Sequence, residues 1–288
     1  MKKPTIVFFG TPVFATTILD ALKSAGLSPA LIITTPDEPQ GRNLVLTPPP
    51  AKVWAEKENI AVLQPASLKH DAEVAPLLNT EWDLFIVASY GKILPKAILD
   101  IPKYGTLNVH PSLLSKFRGA SPIRSAILTD TRATGISIML MDEELDHGPV
   151  LAQARIELEA EDWPPRATMF EELMAHAGGE LLVETIPAWI AGEVTPEPQD
   201  DAEATFSEKI TKEMGELDLT ADPYQNLLKI RAYEGWPGTY FFHERNGKKM
   251  RVKVLDAEIA DDGSLTLLRV IPEGKKEMAY EDFLRGNT

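Results

Sequence analysis

Five strand-length runs in the first half of the chain are apolar without alternation. They are TIVFFG (Thr5–Gly10), ALIIT (Ala30–Thr34), DLFIVAS (Asp83–Ser89), GTLNVH (Gly105–His110) and TGISIML (Thr134–Leu140). Successive side chains of a strand point to opposite faces, so a strand with one wet face alternates and a strand buried on both faces does not. Between these runs lie amphipathic stretches of helix length: Phe14–Ser24, with Phe14, Ile18, Ala21 and Leu22 on one face, and Ala51–Asn59, followed by a short strand at Ala61–Leu63. A long helical pattern at Thr168–Ile190 ends the series. Strands covered on both sides by intervening helices predict a Rossmann-like, doubly wound α/β domain with a mainly parallel sheet.

The pattern then changes. The stretch AGEVTPEPQDDAEATF is polar and acidic, contains Pro196 and Pro198, and reads as a linker over 192–206. Beyond it a helix is expected at Pro223–Ala232. WPGTYFF, MRVKVLDAEI and SLTLLRVI follow as strands, separated by Asn246-Gly247 and Asp262-Gly263 turns. The expected organisation is a domain over 1–191, the linker, and a small β-rich domain over 207–288.

Composition narrows the chemistry. The 288-residue chain has no cysteine, which removes disulfides, thiolate metal sites and a cysteine nucleophile, and fits a reducing compartment. MKKPTIVFFG superficially suggests a signal peptide, but Gly10, Thr11 and Pro12 interrupt its short apolar stretch before a helical segment could form. No run of 18 apolar residues occurs, so no membrane span is expected and a cytoplasmic location is. His70, His147, His176 and His243 lack metal-ligand spacing, and no metal is expected. The first strand–helix turn, FFGTPVFA, lacks G-x-G-x-x-G, and no P-loop pattern occurs, so neither a dinucleotide nor an ATP site finds its residues.

The net charge of −14 argues against a nucleic-acid partner, yet it is unevenly placed. Residues 207–288 hold 13 Lys and Arg against 15 Asp and Glu, whereas residues 1–206 hold 16 against 28. RNGKKMRVK (Arg245–Lys253) gathers five basic residues and no acidic one. Such a run is either a solvated hairpin or a phosphate-binding patch.

The run GTLNVH ends in two polar side chains spaced by one residue. Asn108 and His110 therefore share a face, roughly 6.5–7 Å apart, at the carboxyl end of a strand. In open α/β sheets ligands bind at that end. An amide there can hold a developing oxyanion and an imidazole can move a proton; the same pair also fits a strand end with two satisfied polar residues. A second polar signal follows the next strand, where MDEELDHGPV places Asp142 and Asp146 in a loop. Amide, imidazole and carboxylate, with neither metal nor thiol, suit transfer of an acyl or one-carbon group to an amine.

Several segments carry a resemblance that extends nearly end to end. FFGTPVFATTILDAL resembles the first strand and helix of the methionyl-tRNA formyltransferases, and ASYGKILPKAIL, LNVHPSLLSKFRGASPI and GISIMLMDEELDHGPVL resemble core segments that these share with other 10-formyltetrahydrofolate-dependent transferases. KITKEMGELD, IRAYEGWPGTYF and PEGKKEMAYEDFLRG resemble, more particularly, the methionyl-tRNA formyltransferases. The resemblance implies 10-formyltetrahydrofolate as cosubstrate, aminoacylated initiator tRNA as acceptor and an OB-like, shortened β-barrel as tRNA-binding second domain. It implies that Asn108 stabilises the oxyanion, that His110 handles the proton, and that Asp146 holds water or accepts the amine proton. Folate would lie on Ser112, Leu113, Leu114 and Ser115. The pterin would lie against Val87, Tyr90, Gly91, Ile93 and Leu94 and the loop at Asp142. Arg42, Lys248, Lys249, Arg251 and Lys253 would contact RNA, and a monomer is expected.

The chain also departs from that family. Ser115 stands where Pro is usual, and Glu144 and His147 replace a common Gly and Thr. The loop Pro36–Thr47 keeps only Arg42 of its basic residues, and the second domain is shortened between Ile259 and Leu265. An amino-sugar nucleotide formyltransferase would share the same Asn, His and Asp and suits the acidic charge and thin basic loop. A non-catalytic RNA- or folate-binding protein is the remaining reading, and the presence of all three catalytic residue types speaks against it.

Overall fold

The computed structural model of the chain describes residues 3–41, 44–69, 71–245 and 247–286. The elements run β1 (Ile6–Gly10), α1 (Val13–Ser24), β2 (Leu31–Ile33), β3 (Glu38–Gln40), β4 (Val45–Thr47), α2 (Pro50–Lys57), β5 (Ala61–Leu63), α3 (Asp71–Leu78), β6 (Leu84–Ala88) and α4 (Lys96–Leu99). There follow β7 (Thr106–His110), β8 (Arg118–Gly119), α5 (Pro122–Leu128), β9 (Thr134–Leu140), β10 (Val150–Ile156), α6 (Ala167–Ile190) and β11 (Phe206–Ser207). The last elements are α7 (Pro223–Ala232), β12 (Thr239–Arg245), β13 (Lys248–Ile259), β14 (Leu265–Pro272), β15 (Met278–Ala279) and α8 (Tyr280–Arg285).

Seven strands make one sheet in the order β10–β9–β7–β6–β1–β2–β5. The strands β5, β2, β1, β6 and β7 are parallel. β9 is antiparallel to β7, and β10 to β9. Chain order reverses beside β1, with β2 on one side and β6 on the other, so a crevice opens at their carboxyl ends. β1, β6 and β7 are buried at every residue, as their unbroken apolar pattern requires. Fully burying each large side chain here contributes roughly 1.5–3 kcal/mol.

Helices cover both faces. The buried stripe of α1 is Ala15, Ile18, Leu19 and Leu22; Ile18 and Leu22 belong to the face expected from the sequence, whereas Phe14 and Ala21 lie half-buried at its margin. α6 approaches the sheet and α1 closely through two glycines. A Cβ at Gly178 would lie 2.8 Å from Val109 Cγ1, and one at Gly179 would lie 2.7 Å from Ala21 Cβ. The edge strand β10 alternates in burial, and β3 and β4 form a small hairpin within the Pro36–Thr47 loop. Arg42 lies outside the described residues.

The chain divides into two compact units. One comprises 1–120, 134–156 and 172–206; the other comprises 121–133, 157–171 and 207–288. Residues 192–206 pack within the first unit. Glu197 and Val150 exchange two backbone hydrogen bonds of 2.8 Å, and Arg118 N donates to Thr205 O at 2.9 Å. These pairings tie down the backbone of a stretch whose polar, acidic, proline-containing composition reads as a linker. In the second unit β12–β13–β14–β15 form an antiparallel sheet in that order. Phe241, Val252, Val254 and Val270 pack there with Leu227 and Ile230 of α7 and Phe283 of α8. The Asn246 half of the expected turn between β12 and β13 lies outside the described residues. Among the described residues no helix is long and apolar enough to cross a membrane.

Candidate active site

Strand β7 delivers two polar side chains to the sheet's carboxyl edge. Asn108 is in register with Val87 of β6 and Met139 of β9, and His110 with Ser137 of β9. Both side chains are nearly buried, with Asn108 8% and His110 4% exposed. The loop after β9 brings Asp146 to them. Asn108 Nδ2 donates to Asp146 Oδ1 at 3.2 Å, and Gly119 N donates to Oδ2 at 2.8 Å. The carboxylate is thus gripped by one side-chain amide and one backbone amide, and Asp146 itself has φ +48°, a conformation rare for a residue with a Cβ.

The tautomer of His110 follows from its partner. Nε2 lies 3.0 Å from the carbonyl oxygen of Phe117, which can only accept, so the neutral ring carries its proton on Nε2. The lone pair is then on Nδ1, 3.7 Å from Asp146 Oδ2. Two acceptors face one another across a separation too long for a hydrogen bond. Either a proton on Nδ1 or a donor bonded to both satisfies them.

The loop expected to hold folate is braced by side chains that sequence reading missed. Ser112 Oγ donates to Lys116 O at 2.5 Å, so that hydroxyl closes its own loop. Ser137 Oγ donates to Ser112 O at 2.6 Å and accepts from Leu114 N at 3.0 Å. Gln153 Nε2 donates to Leu114 O and to Ser137 Oγ, at 2.8 and 2.9 Å. Leu113 lies over Gly135, where a Cβ would come 2.8 Å from its Cδ2. Ser115 O accepts from Thr205 N. A polar residue in the middle of the apolar run TGISIML was the available signal for Ser137.

Val87 of β6 joins the buried core with Tyr90 and Leu94 of the segment that follows, whereas Ile93 is 88% exposed and Gly91 has φ +79° with open space around it. Tyr90 Oη is buried without a hydrogen-bond partner, and burial pushes its pKa up to about 12. This segment therefore offers a ligand its backbone and Ile93, not the side chains of Val87 and Leu94.

His147 turns away from Asp146. Its Nδ1 is 2.7 Å from Asp142 Oδ2 and its Nε2 is 3.6 Å from Asp201 Oδ2. The hydrogen bond to Asp142 raises the His147 pKa, with further support from the charges of Asp142, Glu144 and Asp201 and opposition from partial burial. A raised folded value means that this contact's contribution is fully present below the ordinary His pKa and is lost as pH climbs through the raised one. Replacing His147 with alanine is therefore expected to speed amide exchange of residues 142–148 at pH 6, and to change it little at pH 9. Equal acceleration at both pH values would refute the charge-dependent contact.

On the second unit, Lys248, Lys249, Arg251 and Lys253 are exposed along β13. Lys249 Nζ lies 4.1 Å from the Phe242 ring centroid and Arg251 Cζ 3.6 Å from that of Tyr240, so cations and aromatic faces interleave.

An amide donor, an imidazole of assigned tautomer and a fixed carboxylate at the edge of such a sheet make a candidate group-transfer site. The chain belongs to the formyl transferase family, which matches residues 3–186, with the formyl transferase C-terminal domain matching 209–264. Within that class its place is among the methionyl-tRNA formyltransferases. The one from Halalkalibacterium halodurans is 40% identical over 98% of this chain and 94% of its own length. The one from Myxococcus xanthus is 38% identical over 100% and 96%. In fold, the chain is similar to the crystal structure of a 4-N formyltransferase from Francisella tularensis, with a TM-score of 0.65 and 20% identity over 86% of this chain and 96% of that one.

Proposed function

We propose that this enzyme transfers the formyl group of 10-formyltetrahydrofolate to the α-amine of methionyl initiator tRNA, acting as a cytoplasmic monomer. Near-full-length similarity to methionyl-tRNA formyltransferases supports the acceptor. The observation that carries the chemistry is the convergence of Asn108, His110 and Asp146.

The surroundings fit the folate. The exposed Ile93, the open Gly91 and the unpartnered Tyr90 hydroxyl lie in the segment after β6, and the Asp142 carboxylate lies in the loop after β9. When bound, 10-formyltetrahydrofolate supplies the formyl carbon, and Ser112–Ser115 and Val87–Leu94 would hold it chiefly through their backbones. Asn108 Nδ2 donates to the formyl oxygen where negative charge builds. Asp146 Oδ2 and His110 Nδ1 accept from the attacking amine, orient its lone pair, and take up the proton it sheds. His110 then carries the proton that the leaving nitrogen needs.

The test offers labelled formyl donor to methionyl initiator tRNA and to amino-sugar nucleotides in parallel. Label on the tRNA is expected; label only on a sugar amine would overturn the acceptor while leaving the site chemistry in place.

The basic strip on β13 is read as a phosphate-binding surface. Replacing Lys248 and Lys249 together with alanine is expected to raise KM for tRNA more than it lowers kcat. The same change should flatten the dependence of log KM on log salt by roughly one to two units. An unchanged slope would make these lysines a solvated surface.

A further inference from the structure

Segment 197–206 does more than connect. It lies over both loops of the active site and places Gln199 against the main chain of the turn that carries Asp146. Gln199 Nε2 donates to Asp146 O and to Gly148 O, each at 2.8 Å. Its Oε1 accepts from Arg118 Nε at 3.0 Å, and Arg118 Nη2 donates to Asp201 Oδ1 at 2.9 Å. The amide's orientation is dictated by its partners, because backbone carbonyls only accept and a guanidinium only donates. Arg118 is 4% exposed, so the far side of the amide is anchored on a buried group.

The turn has little freedom on its other side. A Cβ at Gly148 would run into the carbonyl oxygen of Leu140, so this part of the turn already lies hard against β9. Asp146, between that contact and Asn108, holds a left-handed backbone conformation uncommon for a residue with a Cβ. One amide nitrogen bonds the carbonyls of both Asp146 and Gly148, and thereby sets the turn's rotation and the reach of the carboxylate toward His110.

We infer that Gln199 is a positioning residue for Asp146, acting through the main chain of the 146–148 turn. The inference rests on the reading of Asp146 as a group that meets the substrate amine. A small rotation of this turn displaces the one carboxylate that meets the amine and leaves the rest of each substrate's binding surface in place, so the effect falls mainly on turnover.

The experiment compares Gln199→Met, which keeps length and removes both donors, with Gln199→Asn, which keeps the amide on a shorter stem. Asp146→Ala is measured alongside. Gln199→Met is expected to lower kcat by about 10- to 100-fold with both KM values within about twofold, and Gln199→Asn to recover part of the loss. If Asp146→Ala turns over normally, the site reading itself is overturned. If Asp146→Ala is inactive but Gln199→Met has unchanged kcat, or shows only raised KM, the positioning role alone is overturned. Melting temperatures identify a Gln199→Met protein that fails to fold; Gln199→Asn then decides, a lowered kcat at constant KM supporting the role and wild-type kinetics refuting it.

Discussion

Alanine at Asn108 is expected to lower kcat by about 10²- to 10³-fold, the usual loss on removing one preorganised oxyanion donor. The amide sits at 8% exposure on a strand buried at every residue, so it is held in place without reorganisation. The substitution also removes the donor to Asp146 Oδ1 and leaves that carboxylate bonded to Gly119 N. Some of the loss will therefore reflect a freer Asp146. Asn108→Asp keeps shape but also lacks the donor and sets two carboxylates side by side, so it should be at least as damaging. Tetrahydrofolate binding, followed by isothermal titration, should change little. Wild-type turnover in Asn108→Ala would remove Asn108 from the mechanism.

Alanine at His110 is expected to cost about 10²- to 10⁴-fold in kcat, the range for loss of a positioned proton carrier. His110→Gln is the sharper variant. Its amide nitrogen can donate to Phe117 O in place of Nε2, preserving the loop, yet it offers no group that both takes and returns a proton near neutral pH. Single-turnover formyl transfer with saturating folate and tRNA reads this step directly. A His110→Gln enzyme with wild-type single-turnover rate would show that the imidazole only braces the loop at Phe117.

The part of this site legible in the sequence is the part governed by a period. Asn108 and His110 were readable because alternation along a strand places both on one face at a carboxyl end. Asp146 was readable as a carboxylate in the next strand's exit loop, but its left-handed backbone was not, since nothing nearby in sequence demands it. Gln199 reaches Asp146 across 53 residues, and Gln153 reaches Leu114 across 39. Contacts at such separations leave no periodic trace, and the acidic, proline-containing stretch around Gln199 has the composition of a connector. β10 escaped notice for a related reason: an edge strand with one face open carries Gln153 and Arg155 at exposed positions and so lacks an unbroken apolar run. The four basic residues of β13 were found as a charge run, whereas the stacking of Lys249 on Phe242 and of Arg251 on Tyr240 needed the β12–β13 pairing.

The facing pair of His110 Nδ1 and Asp146 Oδ2 also bears on the direction of traffic through the site. A primary amine brings enough N–H bonds to serve both acceptors at once. Its formylated product is a secondary amide, planar at nitrogen, with a single N–H that can serve one of them. In the proposed mechanism, chemistry at the formyl carbon thus undoes half of the grip that held the acceptor, and the same two atoms that would recruit the amine would favour release of what it becomes.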